Sequence, residues 1–235
     1  MKIGIMQPYF FPYIGYWQLL NEVDKYVIYD DVNYINRGWI NRNRILVEGA
    51  PKYFNISMMG ASQNKKINEI QIDLNPKLIT KKMKTIEYAY KKAPYFEQVF
   101  PVLESILGYK NDNLALYIEN SIYTICDYLN IKTEIIISSS LNKNNELKGK
   151  DKILDICKIL GATEYYNAFG GRKLYSYEEF KNTGIKLKFL KSDNIVYKQL
   201  DNEFQANLSI VDIIMFNSKE HVINKLLHKF ITIDK

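Results

Sequence analysis

Histidine, cysteine and tryptophan are scarce in this 235-residue chain, which has two of each. Cys126 and Cys157 sit in apolar, helix-patterned stretches (SIYTICDYL and KILDICKIL), so they read as small core residues of a reducing compartment. With so few ligands a structural zinc site is excluded, and a disulfide is not expected. His221 and His228 are seven residues apart on what reads as one face of a terminal helix, the spacing of ordinary surface or packing residues. No apolar run approaches the ~20 residues of a membrane span. Met1 leads straight into strand-like sequence without a charged leader or a small-residue cleavage site, so a cytoplasmic location is expected. Acidic residues are outnumbered by basic ones, leaving a net charge of +6. The surplus is spread over lysines such as Lys65, Lys66, Lys81, Lys82, Lys91 and Lys92, which favours an anionic ligand by long-range steering. No nucleic-acid motif accompanies it, so nucleic acid is not expected as a partner, aminoacyl-tRNA as a donor excepted.

What is present is concentrated at the start. MKIGIMQ reads as a buried strand, PYFFPYIGYWQLL as a turn into an amphipathic helix, and YVIYD as a second strand. Strand, helix and strand within about thirty residues make a βαβ unit, which crosses over right-handed. The two following loops then lie side by side at the carboxyl ends of parallel strands, where open α/β sheets bind ligands. The first loop supplies Gln7, Tyr9, Tyr13, Gly15 and Tyr16. The second supplies Asp30, Asp31, Asn33, Tyr34, Arg37, Trp39, Asn41, Arg42 and Arg44. Arginines beside amides and acids suit a polyanion with hydroxyls, because guanidinium grips phosphate bidentately and amides read sugar or base edges.

QPYFFPYIGYWQL followed by DDVNYINRGWINRNRI resembles the WbqC-like family, bacterial proteins encoded in surface-polysaccharide (O-antigen) gene clusters. AYKKAPYF, GATEYYNAFGG and SIVDIIMFN fall in the order expected of that family, so the resemblance spans essentially the whole chain. It implies a transferase that forms an amide on the amine of a nucleotide-linked amino sugar, by glycyl or other acyl transfer from an activated donor. FPYIGYWQLL is also similar in position to the HxGH turn of nucleotidyltransferases and of adenylate-forming amide ligases such as pantoate–beta-alanine ligase. Tyr13 and Tyr16 stand at the two histidine positions. That likeness admits an ATP-dependent adenylate-forming ligase, with ATP as co-substrate and no other cofactor. Loss of both histidines admits a further alternative, a nucleotide-sugar-binding module without catalysis.

The rest of the chain reads as a single α/β domain, 1–235, whose mostly parallel sheet carries an inserted helical block over about 75–130. Residues 45–57 read as a hairpin, and 67–73 alternates as an exposed strand. Asn75–Lys92, Pro94–Gly108 and Asn113–Leu129 carry helical periodicity. Beyond them, Ser138 and Ser139 end a strand where short hydroxyls suit phosphate, and Gly170-Gly171-Arg172 forms a turn that backbone and guanidinium can close on a ligand. In this reading Arg37, Arg42 and Arg44 hold phosphates and Trp39 or Tyr34 stacks on a ring. Asp31, or its neighbour Asp30, deprotonates the amine, while the Tyr16 hydroxyl assists at the helix start.

Overall fold

The computed structural model describes residues 1–200 and 203–234. β1 (Lys2–Met6), α1 (Ile14–Glu22) and β2 (Lys25–Ile28) form the expected βαβ unit, with Ile3 to Met6 in parallel register against Lys25 to Ile28. A hairpin of β3 (Arg42–Val47) and β4 (Ala50–Asn55) follows, turning at Glu48 and Gly49, both at positive φ. The strand expected over 67–73 shrinks to β6 (Gln71–Ile72), paired with β5 (Met58–Met59) after a 3₁₀ turn at Ile67–Glu69. Ile67, Ile70 and Ile72 are all buried, which a flat alternating strand with one wet face does not allow.

The helical block comprises α2 (Pro76–Tyr90), α3 (Phe96–Leu107) and α4 (Leu114–Tyr128). The Asn75 side chain accepts from the Lys77 N–H at 2.9 Å and that of Asn113 from the Leu116 N–H at 3.2 Å, so both helices start at N-cap asparagines. The chain then alternates through β7 (Glu134–Ile137), α5 (Gly149–Ile159), β8 (Glu164–Ala168), α6 (Tyr177–Lys181) and β9 (Lys186–Ser192). α7 (Ile210–Phe216), α8 (Lys219–Asn224) and β10 (Phe230–Asp234) complete it. The terminal helix is shorter than its pattern predicts: His221 lies in α8 and His228 in a separate 3₁₀ turn, so they do not share a helix face. FITID instead pairs antiparallel with β9 as an edge strand, satisfying backbone groups that β9 would otherwise expose.

The six-stranded sheet has the order β10-β9-β8-β1-β2-β7, with every pair parallel except β10 and β9. From β1 the chain runs outward through β2 to β7, then returns to the other side of β1 for β8 and β9. The order therefore reverses between β1 and β8, and a crevice opens there at the carboxyl ends. Alternation along the strands fixes what covers each face. Ile3, Ile5, Val27, Tyr165, Leu187 and Phe189 pack with Ile153, Ile156 and Cys157 of α5 and Phe180 of α6. Tyr26, Ile28, Tyr166 and Leu190 face the larger core shared with α1, the helical block and α7. Burial pushes the thiols of both cysteines up to about 12, as befits packed, unreactive side chains.

Candidate functional site at the sheet crevice

A cleft of about 540 Å³ occupies the crevice between β1 and β8. Its floor comes from the strand ends: Ile5, Met6 and Gln7 after β1, Tyr29 after β2, Asn167 and Ala168 at the end of β8. Gly149, Lys150 and Ile153 bring the first turns of α5 to one wall, and Gly170, Gly171 and Tyr175 form the other. α5 begins without a side-chain cap and with Asp151 in its first turn, and Gly149 and Lys150 bring that start of the helix, the positive end of its dipole, to the cleft. Gly171 is needed for closeness: a Cβ there would stand 2.8 Å from Asn167 Oδ1. Asn167 in turn donates to the Tyr165 hydroxyl at 2.6 Å, which fixes its amide in the floor.

Tyr9 and Tyr13 line this cleft and also a second cavity of about 220 Å³, walled by Trp39, Asn43, Arg44 and Asn207. The two spaces thus share an aromatic partition. Burial raises the hydroxyl pKa of both tyrosines, so each stays protonated at neutral pH and can donate a hydrogen bond. The reason for Gly15 is here. A Cβ on Gly15 would lie 2.4–2.6 Å from the Tyr13 ring, so only glycine lets that ring fold back over the start of α1. Gly15→Ala is expected to lower the thermal midpoint, and adding Tyr13→Ala is expected to remove most of that penalty. Simple additivity in this double-mutant cycle would show that the contact carries no weight.

Several residues singled out from the sequence lie elsewhere. Tyr16 is 2% exposed and stacked edge-on against Trp17 and Tyr26, with its hydroxyl donating to the Gln7 carbonyl at 3.3 Å, so it is core and not open to a substrate. Tyr34 is buried and donates to Asn41 Oδ1 at 2.9 Å, while Asn41 donates to the Ile56 carbonyl. Asn33 bonds the carbonyl of Gln63. Arg42 donates through Nε to the Gly38 carbonyl at 3.1 Å and through Nη2 to that of Arg37, and lies over the Tyr53 ring, so it staples its own loop. Arg37 is exposed at φ 59° in that same turn, and Arg172 stacks over Phe169 outside the cleft lining. Ser138 is fully buried, and Ser139 serves Asp30 rather than a ligand.

The two acids also face inward rather than into the cleft. Because β2 ends at Ile28, Tyr29 shares the side of Val27 and takes the cleft position. Asp30 accepts from the backbone and hydroxyl of Ser139 at 2.9 and 2.6 Å and from Asn68 at 3.0 Å, locking the end of β7 to the turn before β6. Asp31 lies between Lys152 at 2.8 Å and Lys143 at 2.9 Å, all three side chains nearly solvent-free. Burial alone would raise its pKa, but Lys152, Ser138 and Lys143 outweigh it and hold the carboxyl at about 2. A carboxylate so firmly ionised is a poor proton acceptor at neutral pH, so the geometry argues against Asp31 as the base. Its effect on the cleft is architectural, since Lys152 belongs to α5 and the ion pair fixes where that helix begins.

Of the residues expected from the sequence, Gln7, Tyr9, Tyr13, Gly170 and Gly171 meet at the larger cleft, and Trp39 and Arg44 at the smaller one. Tyr29, Lys150, Asn167 and Tyr175 were not anticipated. The available signal was positional: Tyr29 directly follows β2 and Asn167 is the penultimate residue of β8, the two strands flanking β1.

A family model described as the WbqC-like protein family matches residues 7–224. The chain belongs to the WbqC-like family. That span takes in both loops of the crevice, the helical block and α5 through α8. One relative is an uncharacterized protein of Mycobacterium tuberculosis, Rv1507c, 29% identical over 220 residues, which covers 92% of this chain and 93% of that protein. No solved structure matches. The WbqC-like assignment thus rests on sequence, and the crevice, lined but for Ile5 and Met6 by residues of the matched span, is the candidate site.

Proposed function

We propose that this WbqC-like protein binds a nucleotide-linked amino sugar across the carboxyl edge of its sheet and transfers a glycyl or other acyl group to the sugar amine, as a step of surface-polysaccharide biosynthesis. The observation that carries this reading is the cleft at the strand-order reversal, bounded by the uncapped start of α5 and by Gly170-Gly171. Helix N–H groups and glycine backbone at such a point suit a diphosphate. Lys150 pairs with Glu179 at the mouth, so a phosphate would exchange one exposed anion for another. Gln7 and Asn167 offer amide groups to sugar hydroxyls, and the rings of Tyr9, Tyr29 and Tyr175 offer apolar faces.

The chemistry that fits is direct displacement. The cleft lining holds no aspartate, glutamate, histidine or cysteine among the described residues; burial raises the pKa of Tyr9, Tyr13, Tyr29 and Tyr175, and Glu179 keeps the Lys150 ammonium protonated, so no side chain there is poised as a nucleophile or base at neutral pH. The unprotonated amine attacks the carbonyl carbon of an activated acyl donor, and the bond from that carbon to the leaving group breaks. The proton released from nitrogen passes to the departing group or to water. The protein's part is to orient both substrates and to donate hydrogen bonds from Tyr9 and Tyr13 to the carbonyl oxygen as charge develops.

Calorimetric titration with UDP-, dTDP- and GDP-linked amino sugars, followed by mass analysis after adding an acyl donor, tests this. Binding with a mass gain on the sugar is expected. Lys150→Gln should weaken binding only roughly two- to fivefold, the worth of an exposed charge contact, and less as salt rises. Arg42→Ala should leave it unchanged, because that guanidinium is spent on its own loop. Affinity without product would support the binding-module reading, and no affinity for any nucleotide sugar would end both.

A further inference from the structure

We infer that the cavity between Trp39 and Arg44 is a second, separate subsite that takes the adenosine-phosphate end of the acyl donor. The assignment rests on the transferase reading, since it supplies the co-substrate which that reading requires. Arg44 makes no ion pair among the described residues: its Nη2 donates to the Asn207 carbonyl at 3.2 Å, and its Nε is buried without a partner. No acid among the described residues lines the cavity, so none of them compensates the guanidinium charge where water is partly excluded. An arginine in that state calls for an anion with planar oxygens, of which phosphate is the common example.

The second element is the indole. Trp39 is 43% exposed, and the Arg44 guanidinium lies over its ring at 5.9 Å from the ring centre, so the pair presents a cation and an aromatic face side by side to whatever enters. A ring system carrying phosphate satisfies both. Asn43 holds the arrangement, donating to the Phe11 carbonyl at 2.8 Å and accepting from the Arg44 N–H at 2.8 Å, so its amide is already committed. At about 220 Å³ the cavity is smaller than the usual site for a whole cofactor and suits one end of a longer molecule.

Location completes the argument. Tyr9 and Tyr13 wall both this cavity and the switch-point cleft, so an acyl group extending from a nucleotide held at Arg44 reaches the partition over which the sugar amine lies. Acyl adenylates, coenzyme A thioesters and aminoacyl-tRNA ends all carry an activated acyl group on a leaving group that contains an adenosine and a phosphate, directly in the first and last and through the pantetheine arm in coenzyme A. That shared chemistry is what Trp39 and Arg44 would recognise; as the amine bonds to the acyl carbon, the bond that breaks is to a phosphate oxygen of AMP, to the coenzyme A sulfur, or to a ribose oxygen of the RNA, and the released group takes the proton.

The test titrates the full chain with AMP, with coenzyme A and with a short RNA hairpin ending in CCA, reading tryptophan fluorescence and heat. Trp17 is 1% exposed, so a fluorescence change reports Trp39. AMP is expected to bind and quench, and Arg44→Gln and Trp39→Leu are each expected to weaken AMP about tenfold or more. Both variants should keep the parental affinity for the nucleotide-linked amino sugar, which also certifies their folding. Tighter binding of coenzyme A or of the RNA than of AMP names the donor. The inference falls if AMP does not bind, if both variants bind AMP like the parent, or if they lose AMP and the nucleotide sugar together. AMP binding with no nucleotide-sugar binding would leave this subsite standing and remove the acceptor reading instead.

Discussion

Asp31→Asn is expected to destabilise the protein by about 3–5 kcal/mol, the scale on which removing one partner strands a buried charge. Its carboxylate is the common partner of Lys143 and Lys152, whose side chains are 1% and 6% exposed. The amide is nearly the same shape but carries no charge, so two ammonium groups would remain buried beside each other. Lys152→Met should cost much less, because it leaves Asp31 paired one-to-one with Lys143. Urea unfolding of the three proteins separates these cases, and an unchanged midpoint for Asp31→Asn would show that the cluster contributes nothing. If the proposed acyl transfer is observed, any fall in its rate should follow the loss of folded protein, in contrast to the rate-only loss of roughly 10²–10⁴ expected of a general base.

The same cluster sets an acid limit. The Asp31 pKa is about 2 in the folded chain against its ordinary 3.8, so the carboxylate stabilises the fold above pH 4. As pH falls toward 2 that contribution is lost. The gap corresponds to about 2 kcal/mol. Stability measured from pH 5 down to pH 2 should fall more steeply in the parent than in Asp31→Asn, whose amide does not titrate.

Asp212→Ala carries the other large effect, on the order of 3–5 kcal/mol. Asp212 is fully buried on α7 and accepts from the Tyr197 hydroxyl at 2.7 Å, the Gln199 amide at 2.6 Å and the Tyr90 hydroxyl at 3.0 Å. Tyr90 also accepts from the Leu46 N–H at 2.9 Å. One carboxylate thereby ties the helical block, the β3 hairpin and the segment after β9 together. Alanine would leave three donors facing a void. Asp212→Asn keeps an acceptor oxygen and should lose far less, and calorimetric melting of both variants checks the order. Equal midpoints for the two substitutions would mean that volume, not hydrogen bonding, decides this site.

Sequence alone determined a good deal here. The short apolar runs of MKIGIMQ and YVIYD, and the period near 3.6 in the stretches around Ile86, Leu103 and Ile122, fix which groups leave water, so strands, helices and the βαβ unit follow locally. The family was legible in the N-terminal block, where QPYFFPYIGYWQL followed by DDVNYINRGWINRNRI resembles the WbqC-like family, and the family model bears this out. Tertiary structure alone decided which polar residues face a ligand. Asp30, Asp31, Arg42 and Tyr34 look like a site along the chain because they sit in one loop, but their partners Ser139, Lys152, the Gly38 carbonyl and Asn41 consume them inside the fold. Lys152 is 121 residues from Asp31 in sequence, and no local pattern announces such a pairing. The crevice itself arises only when β8, coming late in the chain, docks on the far side of β1 and brings Asn167, Gly170 and Gly171 opposite Gln7. Local periodicity reports burial over a few turns, whereas a site is made by the strand order, and strand order is settled by long-range packing.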